Sequence, residues 1–479
     1  MIIRFLITAL LATNLLTARA EKPNFLFIFA DDMAYDTIAA HGNTEIKTPS
    51  IDKLVKRGMS FTHAYNMGGY HGAVCVASRT MLNTGVFLWH AQKVEGELKQ
   101  WQADGKMWSQ LMNQAGYDTY FTGKWHVRAD TKKIFTRAEN VRGGMPKQTK
   151  EGYKRPIEGQ PDVWDPSDPK FGGFWEGGTH WSEVVRNDAL SFLDQAKRAT
   201  NPFFMYIAFN APHDPRQAPK EYIDMYPVEN MKVPMPFLAA YPYKDDIGCS
   251  ASLRDENLAP FPRTEYAVKV NRLEYYALIT HMDAQIGLIL DGLEKSGKAD
   301  NTYIVFSADH GLGCGHHGFL GKQNMYDHSI RVPWIIVGPN VPADKSIDGA
   351  IYLQDVMPTT LELAGAPIPD YVQFHSVLPM IKGEKKQNYD SIYGAYTMLQ
   401  RQLTVDNWKL IYYPKIQKHR LYNLGKDPLE TKDLADSPEH AQRIAKMMKK
   451  MKAWQPINGD PLDLDKPLEA PKPKKRKSA

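Results

Sequence analysis

The chain has 479 residues, 43% apolar and 24% charged, with a formal net charge of +5. That balance suits an ordinary globular protein of one large domain or two and excludes a disordered or collagen-like chain. Three cysteines, Cys75, Cys249 and Cys314, exclude a disulfide scaffold: at most one pair can form, and one thiol is always left over.

Residues 1–20, MIIRFLITALLATNLLTARA, combine Arg4, an apolar stretch from Phe5 to Leu16 and the small-residue ending ARA. This is the pattern of a cleaved secretory signal peptide. Thr13 and Asn14 interrupt the stretch, which falls short of the roughly 20 residues that span a bilayer, so no stable membrane insertion is expected. The expectation is an exported protein, periplasmic or secreted. Loss of Arg4 and Arg19 with the leader lowers the charge to +3, and setting aside the five basic residues of PKPKKRKSA (471–479) leaves a body at −2. The basicity lies in a Pro/Lys tail expected to be disordered and solvated, and nothing points to nucleic-acid recognition.

Five apolar runs read as buried strands: NFLFIFA (24–30), TYFTG (119–123), FFMYIAF (203–209), TYIVFSA (302–308) and PWIIVG (333–338). Between them, SIDKLVKRG, MWSQLMNQAG, WSEVVRNDALSFLDQAKR and EYYALITHMDAQIGLILDGLEKSG repeat apolar residues at helical spacing, three of them ending in Gly. Alternating strands and helices predict an α/β domain over 21–375, with a mostly parallel sheet flanked by helices. From 376 to 465 short alternating strands and a final amphipathic segment predict a smaller α+β subdomain with an antiparallel sheet, and 466–479 is the basic tail. Segments 128–185 and 214–262 are long Pro-, Gly- and aromatic-rich connections.

Four of the strands are followed by charged or imidazole side chains: Asp31-Asp32, Lys124-Trp125-His126, His213 and Asp309-His310. In open α/β sheets the ligand crevice lies at the carboxyl ends of strands, so these residues are expected to converge. Any one pair alone would read as a helix cap or a solvated loop. Asp31, Asp32, Asp309 and His310 supply mostly oxygen ligands, which favours a hard divalent cation, Ca2+ or Mg2+, over zinc. His316 and His317, in GCGHHGFLGK, read as part of a substrate-side loop rather than a second metal site. Arg79, Lys124, His126, His213 and Lys322 are cationic or hydrogen-bonding groups that would suit a tetrahedral anion at that metal.

CVASRTMLNTG reads as a helix ended by Gly85, with Cys75 at its N-terminus and Arg79 one turn on, on the same face. Backbone N–H groups there favour an anion. A thiol nucleophile wants a partner base, and beside a metal and a tetrahedral anion it is an odd choice for ester cleavage. Spacing alone leaves that open.

CVASR matches the signature C-x-[P/A]-x-R of the formylglycine-dependent sulfatases, with Ala77 where proline is commoner. NFLFIFADD, TPSIDKLVKRGMSFTHAY, TGKWH, NAPHDP, SADHG, HHGFLGKQNMYDHSIRVP, LQDVMPTTLELAG and LYNLGKDPLETKDLA all resemble blocks of that family, in the family order, over about residues 23–450. The chain thus resembles a type I sulfatase of the alkaline phosphatase-like superfamily. The resemblance implies that Cys75 is oxidised to formylglycine and is the nucleophile. It implies Ca2+ held by Asp31, Asp32, Asp309, His310 and residue 75, with His310 where many relatives carry asparagine. Arg79 and His126 would orient residue 75; Lys124, His213 and Lys322 would hold the sulfate, with His213 protonating the leaving alcohol. A maturing enzyme, formylglycine-generating or of the anaerobic type, is an implied partner. The implied substrate is a sulfated polysaccharide or its oligosaccharides, with Trp164, Trp175 and Trp181 in position to stack on sugars or to sit in the core, and Tyr70 and His71 facing the pocket. The competing readings are a phosphonate or phosphate ester hydrolase of the same superfamily and a glycan-binding pseudoenzyme with unmodified Cys75.

Overall fold

A computed structural model describes residues 21–468. The expected signal peptide and most of the expected tail lie outside the described residues.

The apolar runs form the centre of an eight-stranded sheet. Its strands are β1 (Asn24–Ala30), β2 (Met59–Phe61), β3 (Asp118–Lys124), β4 (Arg137–Arg142), β5 (Phe203–Ala208), β6 (Thr302–Ala308), β7 (Trp334–Val337) and β8 (Lys345–Ile347), in the spatial order β8-β2-β7-β6-β1-β5-β3-β4. Every residue of β1, β5 and β6 is buried, because helices cover both faces. On one face Phe27, Phe204 and Tyr206 surround Trp108. On the other, Tyr120 packs on Phe192 of helix Trp181–Arg198.

All neighbours run parallel except β7, which is antiparallel to both β6 and β2. The chain between β6 and β7 stays at the carboxyl end of β6 instead of crossing back over the sheet, so β7 must return in the opposite direction. That connection contains Asp309 and Lys322, so the departure from parallel order keeps them at the strand ends where Asp31 and Lys124 also lie.

The register sets the level of the strand ends. Ala30 stands opposite Ala308, and Ala208 stands opposite both Phe29 and Gly123. The loops after β1, β3, β5 and β6 therefore leave the sheet within about one residue of the same height.

From Ile392 the chain forms an antiparallel meander, β9 (Ile392–Tyr396), β10 (Gln400–Val405), β11 (Trp408–Tyr413) and β12 (Lys418–Asn423), followed by helix Ala441–Asn458. Gly68–Gly69 adds a parallel edge to β9, tying the segment just ahead of Cys75 to this sheet. Gly68 has φ 95°, and a Cβ there would run into the Ala395 carbonyl.

Gly123 meets the same constraint at the end of β3. It has φ 94°, sits at a register shift between β3 and β4, and presses on the Ala208 carbonyl. Gly123→Ala is expected to cost at least about 2 kcal/mol, from left-handed strain plus that clash, and to displace Lys124. Urea denaturation followed by circular dichroism checks it; an unchanged midpoint would contradict the packing described.

Candidate active site

The residue run ADD at the end of β1 turns sharply. Asp32 takes φ 68°, a left-handed conformation rare outside glycine. Two contacts hold it there: its N–H donates to Asp309 Oδ1 (3.0 Å), and its carbonyl accepts from the Tyr275 hydroxyl (2.6 Å). The same hydroxyl accepts from Ala34 N (3.1 Å). Tyr275 comes from the 32-residue helix Glu265–Ser296, capped by Thr264 Oγ1 accepting from Ala267 N (3.1 Å) and ended by Gly297 in the left-handed conformation.

Cys75 enters from the helix Val74–Thr84, whose residues are all buried. It stands in the first turn, with Sγ 3.4 Å from Asp31 Oδ1 and 3.5 Å from Asp32 Oδ1. Ser78 Oγ, one turn on, donates to the Asp309 carbonyl (3.0 Å). Arg79 Nε donates to Asp309 Oδ2 (2.9 Å), Nη1 donates to the Lys124 carbonyl (2.6 Å), and Nη2 lies 3.7 Å from Asp31 Oδ1. One guanidinium thus ties the ends of β1, β3 and β6 to the helix that presents Cys75.

Two ammonium groups complete the charge balance. Lys124 Nζ donates to Asp31 Oδ2 and Lys322 Nζ to Asp32 Oδ2. His213 presents Nε2 3.5 Å from Asp32 Oδ2, while its Nδ1 donates to the Asp214 carbonyl (2.8 Å). Asp31, Asp32, Cys75, Arg79, Lys124, His213, Asp309 and Lys322 are all buried. Three carboxylates face three permanent cations.

The electrostatics follow from burial and proximity. Burial, then the Asp309 charge, raises the Asp31 carboxyl to about 6. Burial acts on Asp309 in the same direction, but Arg79 and Lys124 more than offset it and hold it below the ordinary carboxylate range. Burial, then Asp309, pushes the Cys75 thiol well up, so the side chain in this setting is a neutral thiol. His126 is held neutral, at about 3, by burial and then by Lys124 and Arg79. Its Nδ1 has no hydrogen-bond partner among the described residues.

One ligand atom each from Asp31, Asp32, Cys75 and Asp309 lie within 4.8 Å of one another. Opposite ligands on a divalent ion with 2.0–2.6 Å bonds stand roughly 4–5 Å apart, so the three hard carboxylates and the atom at position 75 are close enough to share one such ion. His310 is placed differently from the three aspartates. Its Nδ1 donates to the Ser329 carbonyl (3.0 Å), and its Nε2 lone pair accepts from Asn66 Nδ2. The amide is oriented by Gln354 Nε2, which donates to Asn66 Oδ1 (3.1 Å).

Other expectations fare unevenly. The substrate-side reading of the Gly/His loop is corrected: His316 Nδ1 donates to the Met235 carbonyl (2.8 Å), and His317 stacks on Tyr326 and bonds the Glu430 carbonyl (3.0 Å). Only Lys322 of that region enters the site. Of the three tryptophans, Trp164 and Trp181 are each 5% exposed, against Phe171 and Arg142, so they are core residues and not sugar platforms; Trp175 packs half-buried on His180. Tyr70 is buried, while the neighbouring His71 is part-exposed near Glu95. Cys249 and Cys314 are buried free thiols, not a disulfide.

Spacing gave no hint of Tyr275, Ser78, Arg254 or Asp255. Arg254 bridges Asp214 and Asp255, and Asp255 reaches Lys322 Nζ (4.0 Å) and accepts from Gln323 Nε2 (2.7 Å). Arg254 and Asp255 come from a connection with no periodic pattern; Asp214, next to His213, was the one within reach of motif reading.

The family model described as Sulfatase matches residues 23–366. The chain belongs to the sulfatase family. A second model, N-sulphoglucosamine sulphohydrolase, C-terminal, matches residues 315–456 of this sulfatase. It is 28% identical to an arylsulfatase of Clostridium perfringens over 460 residues, covering 88% of this chain and 92% of the relative. It is 24% identical over 511 residues to an N-acetylglucosamine-6-O-sulfatase of Bacteroides thetaiotaomicron, covering 91% and 86%. A structure solved in complex with its substrate D-glucosamine-2-N,6-O-disulfate aligns with TM-score 0.71 at 20% identity, covering 93% of this chain and all of that one. A phosphonate monoester hydrolase from Silicibacter pomeroyi aligns with TM-score 0.72 at 19% identity, covering 91% and 96%. The fold is alkaline phosphatase-like, and the protein is a sulfuric ester hydrolase.

Tyr275→Phe removes the donor to the Asp32 carbonyl and the acceptor for Ala34. The expected cost is about 1–3 kcal/mol in folding free energy, read from urea denaturation. A midpoint equal to that of the parent protein would show that Asp32 is held by other contacts.

Proposed function

We propose that this sulfatase hydrolyses sulfate esters on a sulfated polysaccharide or its oligosaccharides, with residue 75 matured from cysteine to formylglycine and with a bound Ca2+. The observation that carries this is the placement of Cys75 inside the 4.8 Å cluster of Asp31, Asp32 and Asp309, ringed by three buried cations. Formylglycine would supply, as its hydrate, a hydroxyl nucleophile and a route for sulfate to leave, and Ca2+ would supply Lewis acidity.

The remaining chemistry belongs to the chain. Asp31, Asp32 and Asp309 would hold the ion, with an oxygen on residue 75. His310 would join them as a ligand only through Nε2, since Nδ1 is committed to the Ser329 carbonyl, and that requires the Asn66 amide that now donates to Nε2 to turn away. Mg2+ is the alternative ion, but a set of three protein carboxylates favours calcium, since Mg2+ usually takes one or two and keeps several waters. The charges of the three carboxylates and of Arg79, Lys124 and Lys322 cancel, so a divalent cation leaves a site of about +2, matched to an anionic ester.

Arg79 orients the Asp309 carboxylate and the end of β3. Neutral His126, whose Nδ1 has no partner among the described residues, would accept a hydrogen bond from a hydroxyl at position 75. Lys124 and Lys322 would hold sulfate oxygens as point charges. His213, oriented by Nδ1 on the Asp214 carbonyl and with Nε2 3.5 Å from Asp32 Oδ2, would pass a proton through Nε2 to the leaving alcohol.

Export rests on the leader pattern of residues 1–20 and the carbohydrate substrate on the sulfated-sugar relatives. Maturation requires a formylglycine-generating or anaerobic sulfatase-maturing enzyme as partner.

The second reading, a phosphonate ester hydrolase, is favoured by the Silicibacter alignment. Rates on aryl sulfate and aryl phosphonate esters separate the two. Sulfate is expected to be the better substrate, and a clear phosphonate preference sinks the proposal. Cys75→Ala is expected to lower aryl sulfate turnover at least about a thousandfold. Chelation is expected to abolish turnover and Ca2+ addition to restore it; activity indifferent to both contradicts the metal assignment.

A further inference from the structure

The charge of this chain is unevenly distributed. The 39 residues after His440 carry eleven basic and four acidic side chains, a net +7, so that residues 1–440 are at −2. Much of the excess lies on one ordered element, the helix Ala441–Asn458, here α1. It carries Arg443, Lys446, Lys449, Lys450 and Lys452, and no Asp or Glu stands between Ala441 and Gly459.

The helix is two-faced. Met447 and Met451 are buried against the C-terminal subdomain, while Arg443, Lys446 and Lys449 are exposed. Arg443, Lys446 and Lys450 follow at i, i+3 and i+7, with Lys449 beside them, so they form one stripe. Arg443, Lys446 and Lys449 take part in no ion pair among the described residues. Lys450 donates to the Asp390 carbonyl (3.0 Å), and Lys452 pairs with Asp465.

The stripe starts at a cavity of about 320 Å³ between α1 and the β10–β11 hairpin, lined by Trp408, Gln442, Arg443 and Lys446. The Arg443 guanidinium lies 3.9 Å from the centre of the Trp408 ring, so this cation is held in place rather than free. Asp406 and Glu439 also line this cavity; Glu439 stands four residues before Arg443, beside His440 (3.4 Å), and Lys446 and Lys449 continue the stripe along the helix away from it.

We propose that this stripe and the Trp408 cavity form a second binding site that holds the sulfated polysaccharide outside the active site. The proposal rests on the polysaccharide reading above. The argument for the occupant is charge complementarity. A sulfated polymer presents closely spaced anions, and a row of unpaired cations on a rigid helix gains counterion release with each sulfate engaged. The stripe and the catalytic cluster share no residue.

The test uses the full matured protein, with dextran sulfate as probe, unsulfated dextran and phosphatidylglycerol vesicles as controls, and 4-nitrophenyl sulfate for turnover. One variant is Arg443→Glu/Lys446→Glu/Lys449→Glu, and a milder one replaces the same three residues by Ala. Both are expected to keep the parent rate on 4-nitrophenyl sulfate within about twofold, because exposed substitutions are nearly neutral for folding. Both are expected to bind dextran sulfate at least about tenfold more weakly, with the slope of log affinity against log salt lowered by roughly two to three. Unchanged binding of dextran sulfate overturns the proposal. So does loss only when Lys472, Lys474, Lys475, Arg476 and Lys477 are replaced, or binding of the parent protein to the vesicles but not to the polymer. Failure to cleave 4-nitrophenyl sulfate strikes the sulfatase mechanism instead, since the binding measurement needs no turnover.

Discussion

The structure depends on the mutual compensation of buried charges. Asp31, Asp32 and Asp309 are withdrawn from water, which for an isolated carboxylate would cost several kcal/mol each. They remain ionic centres because Arg79, Lys124 and Lys322 are buried among them. The pairs are not a source of stability in themselves; a well-packed apolar core would serve as well or better. Removing any one partner, however, strands its counter-charge. This makes the cluster a constraint on the whole fold, since its members arrive from β1, β3, β6, the Cys75 helix and the loop before β7.

The sheet meets that constraint through register. Parallel strands of matched length end at one level, and their loops deliver short side chains to one point without long excursions. The one antiparallel strand, β7, belongs to the same economy, because the connection before it remains at the catalytic end and contributes Lys322. The C-terminal sheet contributes from outside by pinning Gly68–Gly69, a few residues before Cys75. Tyr275 secures the strained turn at Asp32 from the longest helix. Scaffold and site are in this sense one network of buried polar contacts.

Much of this was legible in the sequence. The five apolar runs became strands because fully buried strands require unbroken apolar stretches, and the residues following four of them met because strand ends in such sheets must meet. Motif likeness added what spacing lacked, a reason for a cysteine at 75. Other parts were not legible. Trp164 and Trp181 read equally well as sugar platforms or as core, because composition cannot separate a solvent-facing ring from one packed on Phe171 or Arg142. His316 and His317 followed the metal motif closely, but a tight Gly-rich turn sends them toward Met235 and Glu430. Arg254 and Asp255 reach Asp214 and Lys322 only through tertiary contacts across a connection without periodicity.

The central claim is that the residue working at position 75 is not cysteine. A neutral buried thiol among three carboxylates is poorly suited to attack an anionic ester, whereas an oxygen nucleophile there would share the ligand set of a hard cation. Mass spectrometry of the proteolytic peptide spanning residue 75, from protein made alongside a competent maturing enzyme, tests this directly. The account predicts the mass of the aldehyde in place of the thiol, in proportion to sulfate-releasing activity. An intact cysteine in protein that fully retains that activity would contradict it.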